Sequence, residues 1–256
     1  MASGDMGSRL IQQPVRELGR ALVFLLTAIT RMRFGRTQFI ETMRQVYFVG
    51  VRSLVIIMIS GFFVGLVLTL QLYDTLNRFG ATEALGTALT LSLFRELGPV
   101  LTVILFAGRA GTSVTAEIGL MKATEQLDAL DLMAIDPMER IVQPRLLAGI
   151  LAVPALVLIF NLMAMLGGVV FSVFMMGIDT ASFWGNIQAT VELGRDFLGG
   201  MFKAVIFGFI ASWLAVYFGW TARPTGEGVA LATTQTVITT AIAVLLADFI
   251  LSALTL

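Results

Sequence analysis

Two residue types are missing from this chain, and charge is scarce. The 256 residues include no cysteine and no histidine, and only 13% of them are charged. The absence of cysteine excludes disulfides and thiolate metal sites, and the absence of histidine excludes zinc-protease motifs and Ser-His-Asp triads. No Gly-Lys-Ser/Thr phosphate-binding sequence occurs, so any ATP must be used by another subunit.

Apolar residues are correspondingly abundant in this chain. They make up 57% of the chain, whereas soluble domains average about 45–50% apolar and about 25% charged. The net charge is zero and no basic patch suggests nucleic acid. Lipid is therefore the expected solvent, and we expect an all-α, polytopic membrane protein forming a single domain over residues 1–256.

Five segments are long enough to cross a hydrocarbon core, which takes about twenty residues. An apolar run of ten at 21–30 has the length of a signal-peptide core, but arginines follow it. We therefore expect residues 10–48 to contain an interfacial elbow helix on the cytoplasmic side, and residues 109–145 to form a cytoplasmic coupling region. The predicted spans are residues 53–72, 84–108, 146–176, 200–220 and 232–256.

Lysine and arginine are distributed unevenly between the two sides of these spans. Thirteen of the seventeen lie in the N-terminal segment or in the connections on the same side of the membrane as that segment. Two lie in the connections on the other side. Cytoplasmic loops carry the excess of Lys and Arg. The count predicts a cytoplasmic N-terminus and, after five spans, a C-terminus on the far side.

The long connection at 109–145 has apolar residues at helix-like spacing. Glu125, Asp131, Ile141 and Pro144 also fit, loosely, the spacing of the coupling loop of ABC permeases, although Asp131 stands where that loop has glycine. An ordinary amphipathic loop helix explains the pattern equally well. The candidate ATPase-coupling residues are Glu117, Lys122, Glu125, Asp128 and Asp131.

Charged residues within spans are costly, about 2.5–3.5 kcal/mol each on insertion scales, and usually mark function or a buried pair. Four fall in or at the edge of the predicted spans: Arg95, Glu96, Lys203 and Asp248. Lys203 and Asp248 lie at similar depth in the outer half, so they can pair, whereas Arg95 and Glu96 either form a structural salt bridge or provide a polar floor for a lipid headgroup. We expect Glu96 to meet Lys203 or a bound headgroup.

An apolar stripe runs along the outer end of the first span. Leu68, Leu72, Leu76 and Phe79 recur at helical spacing, with Tyr73 beside them. Such a stripe either packs on helices and lipid or lines a cavity for acyl chains. With Leu97 and the four charged residues, these side chains form the candidate lipid-binding set, and the sequence suggests no metal site.

Three stretches of sequence resemble the MlaE (YrbE) permease family. They are LSLFRELGPV at 91–100, FAGRAGTSVTAEIGLMKATEQL at 106–127 and MAIDP at 133–137, and shorter matches at 64–65, 167–168 and 232–237 extend the resemblance along nearly the whole chain.

The resemblance implies the permease of an ATP-driven phospholipid transporter in the bacterial inner membrane, which serves outer-membrane lipid asymmetry. It implies a homodimer with a lipid pocket at the periplasmic end between the two copies. The implied partners are a cytoplasmic ABC ATPase that holds ATP and Mg, a periplasmic hexamer of MCE domains and a small STAS-domain protein.

Two other hypotheses remain open at this stage. A membrane-embedded lipid-modifying enzyme could use Glu96 or Asp248 as a base, but it would need a cluster of polar or metal-binding groups at one membrane face. A scaffold that only anchors an MCE protein is the other. A co-purifying ATPase would favour the transporter.

Overall fold

The computed structural model describes residues 17, 19–31 and 35–255, and every regular element among them is helical. Five helices are long and apolar enough to cross a membrane, and Gly19–Thr30 forms a shorter apolar helix before them. The predicted fold class, an all-α polytopic membrane protein, is confirmed. The helices are α1 (Gly19–Thr30), α2 (Arg36–Arg78), α3 (Thr82–Ala123), α4 (Gln126–Leu132), α5 (Met138–Met175), α6 (Thr180–Thr190), α7 (Gly194–Thr221) and α8 (Gly226–Leu254).

The long helices extend beyond the predicted apolar spans. α2 runs for 43 residues and includes residues 36–48, which the sequence assigned to the elbow region. α3 runs for 42 residues and includes 109–123, which were assigned to the coupling region. Hydropathy marks where the lipid-compatible part of a helix stops, whereas the helix itself continues until its backbone pattern breaks. α3 ends where Glu125 adopts a positive φ of 57°.

α5 lies between α2 and α7 and forms the centre of the bundle. The Gly61–Gly65 pair of α2 faces it closely: a Cβ on Gly65 would lie 2.0 Å from the backbone oxygen of Ala164. Small residues permit this approach of two helices in a membrane. Pro154 lies inside α5, as the sequence predicts, and the helix continues through it.

The N-terminal helix α1 packs against the inner end of α7. Trp213 Nε1 donates a hydrogen bond to the backbone oxygen of Ala21 at 3.1 Å, and the Phe24 ring contacts the rings of Tyr217 and Trp220. Gln143 Nε2, at the start of the regular part of α5, donates to the backbone oxygen of Arg31 at 2.8 Å. These contacts support an elbow at this end of the bundle, and its interfacial position stays a prediction.

Helix α6 was not predicted, because residues 177–199 were taken as a connection. Asp179 caps it, accepting a hydrogen bond from Ser182 N at 2.9 Å. Aspartate is among the residues preferred at an N-cap, because its carboxylate can accept from a backbone N–H of the first turn, so Asp179 was a recognisable signal in the sequence. Asn186 Nδ2 donates to the backbone oxygen of Glu83 at 2.9 Å, which fixes α6 against the start of α3.

Candidate functional site

Lys203 and Asp248 meet in the half of the bundle that the lysine and arginine count predicts to face outward, and we call this half the outer half and the opposite one the inner half. Lys203 Nζ donates to Asp248 Oδ1 at 2.9 Å and to Ser252 Oγ at 2.8 Å. The two side chains are 8% and 19% exposed, so the pair is largely shielded from the surroundings. The depth argument from the sequence predicted this contact. The pair joins α7 to α8, and the charge of Lys203 is balanced within the chain.

Arg95 has a partner that the sequence did not suggest. Its Nε donates to Asp196 Oδ1 at 2.7 Å, and Asp196 Oδ2 accepts from Glu192 N at 2.9 Å. The Asp196 side chain is 2% exposed. A structural salt bridge, one of the two alternatives that the sequence left open, therefore forms at Arg95 with Asp196 and not with the adjacent Glu96, because adjacent helical residues point about 100° apart. Asp196 lies just before the predicted fourth span, and no periodicity links it to a residue 101 positions earlier.

We call Arg95, Asp196, Lys203 and Asp248 the outer cluster. The close approach of α3 and α7 makes it possible, since a Cβ on Gly200 would lie 2.0 Å from the backbone oxygen of Phe94. Arg95 lies on a π-helical turn, Leu93–Leu97, that precedes Pro99. Such turns occur often at functional sites.

Glu96 lies on the same π-helical turn but is not part of the cluster. Its side chain is exposed on the protomer, and among the residues that the structure describes it forms no hydrogen bond or ion pair. Lys203 is bound to Asp248 and Ser252 instead, so the expected contact between Glu96 and Lys203 does not form within one chain. Contact with a headgroup stays a prediction. Leu97 beside it is half-buried.

The residues of the apolar stripe at the end of α2 differ in how deeply they are buried. Leu68 and Leu72 pack on the core, and the Tyr73 ring lies 6.5 Å from that of Phe171. Leu76 is half-buried, whereas Phe79, the residue that follows the helix, is 80% exposed. Part of the stripe is therefore used for packing within the chain, and its outer end is free for another contact.

The five candidate coupling residues fall into two groups. Glu117 Oε1 pairs with Arg145 Nη2 at 2.8 Å, and Lys122 Nζ donates to the backbone oxygen of Trp220 at 2.7 Å. These two lie on α3 and join it to α5 and α7. Glu125, Asp128 and Asp131 are exposed at or on α4.

Apolar side chains accompany these exposed acids at the inner tip. Leu132 is 89% exposed, and Met133 and Ile135 follow it on the surface. The turn that carries them contains Ala134 with a positive φ of 58°. The periodicity of the sequence pointed to Met133 and Ile135 but did not single out Leu132. Within the described residues, no group of three or more acidic, histidine or cysteine side chains is arranged to hold a metal ion.

Comparison with known proteins gives consistent similarities. The sequence model of the family described as permease MlaE matches residues 42–254. The intermembrane phospholipid transport system permease protein MlaE of Haemophilus influenzae is 46% identical over 93% of this chain and 92% of its own. A probable ABC transporter permease protein of Rickettsia bellii is 34% identical over 98% and 96%. The chloroplastic protein TRIGALACTOSYLDIACYLGLYCEROL 1 of Arabidopsis thaliana is 31% identical over 88% of this chain and 64% of its own.

Proposed function

The chain belongs to the MlaE permease family, a family of transport permeases, and from that premise we propose that it is the membrane permease of an ATP-driven phospholipid transporter. It moves lipid between the inner membrane and a periplasmic channel of MCE domains and so maintains outer-membrane lipid asymmetry. The phospholipid substrate is supported by the name of the Haemophilus influenzae relative, and the ABC-transporter context by the Rickettsia relative.

The exposed carboxylate of Glu96 is the observation that carries the lipid site. An ionised side chain facing hydrocarbon costs a few kcal/mol, so a position like this one is stable only against water, a polar ligand or another protein chain. The neighbouring cations are neutralised by Asp196 and Asp248, which leaves Glu96 to face the amine or hydroxyl of a headgroup. We place the phospholipid beside Glu96 and Leu97, with Phe79 near the acyl chains.

A homodimer gives Glu96 such an environment. The helices α2 and α8 are the least covered of the five long ones, with 28% and 11% of their most apolar stretches buried, against 50–56% for the others. Faces of this kind are available to lipid or to a second copy of the chain. A cavity between two copies would keep both Glu96 side chains out of the hydrocarbon.

The exposed end at α4 suits an ATPase partner. Glu125, Asp128 and Asp131 supply charge there, and Leu132 and Met133 supply apolar surface, on a short helix outside the apolar spans. ATP and Mg are held by that partner. The MCE hexamer and a small STAS-domain protein complete the proposed assembly on the strength of family membership alone.

Reconstitution tests this proposal. The full chain is co-purified from its host with any associated ATPase, placed in vesicles, and supplied with isotope-labelled phospholipid and ATP. Transfer of chemically unchanged lipid that requires ATP, and that falls at least tenfold in Glu96→Gln, is the expected result. Chemically altered lipid would favour the enzyme hypothesis, and an MCE protein co-purifying without any ATPase would favour the scaffold.

Orientation has a separate test. A reporter fused after Leu256 should be periplasmic, because five long helices follow an N-terminal segment rich in arginine. The same reporter placed in the turn after α4 should be cytoplasmic and serves as the control. A cytoplasmic signal from both fusions would contradict the five-span topology.

A further inference from the structure

Arg52 and Arg109 both contact Phe48 of α2, in the half of the bundle opposite the outer cluster. Arg109 Nη1 donates to the backbone oxygen of Phe48 at 3.3 Å and contacts Ser53 Oγ at 3.3 Å. The guanidinium of Arg52 lies 4.5 Å from the centroid of the Phe48 ring. The two cations therefore share Phe48 as a contact. We call Arg52 and Arg109, with Phe48 and Ser53, the inner cluster.

Neither arginine has an acidic partner. Over residues 17, 19–31 and 35–255, no carboxylate oxygen lies within 4.0 Å of either guanidinium. The other cations on the long helices behave differently where they are buried: Lys203 is bound to Asp248, and Arg145 to Glu117. An isolated positive charge near hydrocarbon is unfavourable, and two together are more so. Within the described part of the chain, no carboxylate lies close enough to balance the two positive charges of the inner cluster.

The depth of the cluster suggests where balancing negative charges come from. Arg52 immediately precedes the first predicted span, residues 53–72, and Arg109 immediately follows the second, residues 84–108. Spans of this length cross a hydrocarbon core of about 30 Å. Both arginines therefore lie at the inner boundary of the hydrocarbon, where a long arginine side chain reaches the headgroups. Lipid phosphates are the abundant anions at that level.

The surface beside Arg109 is open. Gly108 is exposed, and a Cβ added there would meet no atom within 4 Å. Arg109 Nε and Nη2 have no hydrogen-bond partner in the part of the chain that the structure describes. A group with several acceptor oxygens can therefore approach Arg109 from the side of Gly108 while Nη1 keeps its contacts to α2. Guanidinium and phosphate match in this geometry, because two parallel N–H groups can donate to two oxygens.

We propose that Arg52 and Arg109 bind the phosphate of an anionic phospholipid from the inner half of the bilayer, at a site separate from the outer cluster. The site adds a place for a lipid in the inner half of the bilayer, and any part that it plays in transport rests on the proposed function. No other feature described above indicates a path for lipid from that half to the outer cluster. The binding itself requires neither the ATPase nor ATP.

Lipid binding to the purified chain tests the proposal. The full chain is held in zwitterionic nanodiscs, and the association of phosphatidylglycerol is measured with a spin-labelled lipid. Replacing both arginines, R52Q with R109Q, should weaken association about thirtyfold, since each cation near the membrane surface contributes about 1 kcal/mol and about 1.4 kcal/mol corresponds to a factor of ten. R44Q is the matched control: it removes an exposed arginine from the same helix, two turns earlier, and should change association less than twofold.

A second variant separates binding from a structural role. Ser53→Ala removes a contact of Arg109 to α2 but leaves both charges, so it should retain phosphatidylglycerol binding. Loss of binding in Ser53→Ala equal to that in the double variant would overturn the proposal, because the arginines would then act by joining α2 to α3. Equal weakening by R44Q would overturn it too, since any surface charge would then suffice.

The source of the phosphate is tested in the same assay. Inorganic phosphate at millimolar concentration should not displace the lipid, and displacement would assign the site to a soluble phosphate instead. The outcome is independent of the transport assay. A chain that binds phosphatidylglycerol through these arginines but moves no lipid with ATP contradicts the proposed function alone, and unchanged binding in the double variant contradicts this site alone.

Discussion

The outer and inner clusters place cations in opposite halves of the bundle and differ in how these cations are balanced. The outer cluster lies on α3, α7 and α8, and the inner cluster lies on α2 and α3. In the outer cluster, Lys203 and Arg95 each have a carboxylate from another helix. In the inner cluster, the contacts of Arg52 and Arg109 among the residues that the structure describes are a ring, a carbonyl and a hydroxyl. Charges balanced within the chain hold helices together, whereas charges left unbalanced are the ones available to a ligand. By this criterion we propose Glu96 on the outer side and the two arginines on the inner side as the groups that face a ligand.

The largest effect should come from breaking one outer pair. Lys203→Met leaves the largely shielded carboxylate of Asp248 without its partner and should destabilise the protein by about 3–5 kcal/mol. Lys203→Met combined with Asp248→Leu should cost less than Lys203→Met alone, because no unpaired charge remains. Thermal unfolding of the purified variants measures both. Strictly additive losses would show that the two residues are not coupled, despite their 2.9 Å contact.

A smaller loss is expected at the second outer pair. Asp196→Asn keeps the shape of a side chain that is almost fully buried but removes the charge facing Arg95, and it should cost about 1–3 kcal/mol. Arg95 is half-exposed and can turn toward other polar groups, so the loss should be smaller than for Lys203→Met. Asp74→Asn, in the exposed Asp74–Arg78 pair, is the control and should cost well under 1 kcal/mol.

The inner cluster should respond to lipid charge rather than to mutation alone. In zwitterionic lipid, Arg109→Gln loses contacts to α2 but also removes an unbalanced charge, so its stability should differ from that of the parent by about 1 kcal/mol or less. Anionic lipid should raise the unfolding temperature of the parent and leave that of Arg109→Gln nearly unchanged, because a ligand stabilises only the form that binds it. An equal rise in both would remove the distinction between the clusters.

The smallest effect on stability is expected at α4, outside both clusters. Glu125→Lys or Asp128→Lys should change the free energy of unfolding by less than about 0.5 kcal/mol, since both side chains are exposed and unpaired among the described residues. If α4 docks an ATPase, the same variants should uncouple ATP hydrolysis from lipid transfer. Glu117→Gln is the comparison variant, because this substitution removes the charge that pairs with Arg145 within the chain and does not change the exposed surface of α4. Normal transport by both charge reversals would contradict the docking role.

The family and the five spans could be read from the sequence because both are local properties. A run of about twenty apolar residues is sufficient evidence for a span, since lipid cannot hydrogen-bond a polar backbone or side chain. The pairing of Lys203 with Asp248 could also be predicted, because span order and rise per residue fix relative depth. The exact helix ends could not: residues 36–48 and 109–123 are polar enough to leave the membrane, yet they continue the helices.

The partners of most charges were decided by the tertiary structure alone. Arg95 is bonded to Asp196, Glu117 to Arg145, and Lys122 to the backbone of Trp220, and each contact joins residues on different helices. Depth restricts such partners but does not specify which face of a helix each side chain occupies; packing specifies it, through close approaches such as Gly200 on Phe94. The sequence by itself determined which segments must be in lipid and which family they form, since both follow from residue type and order. Which charges are neutralised, and which remain for a ligand, depended on how the helices are rotated against one another.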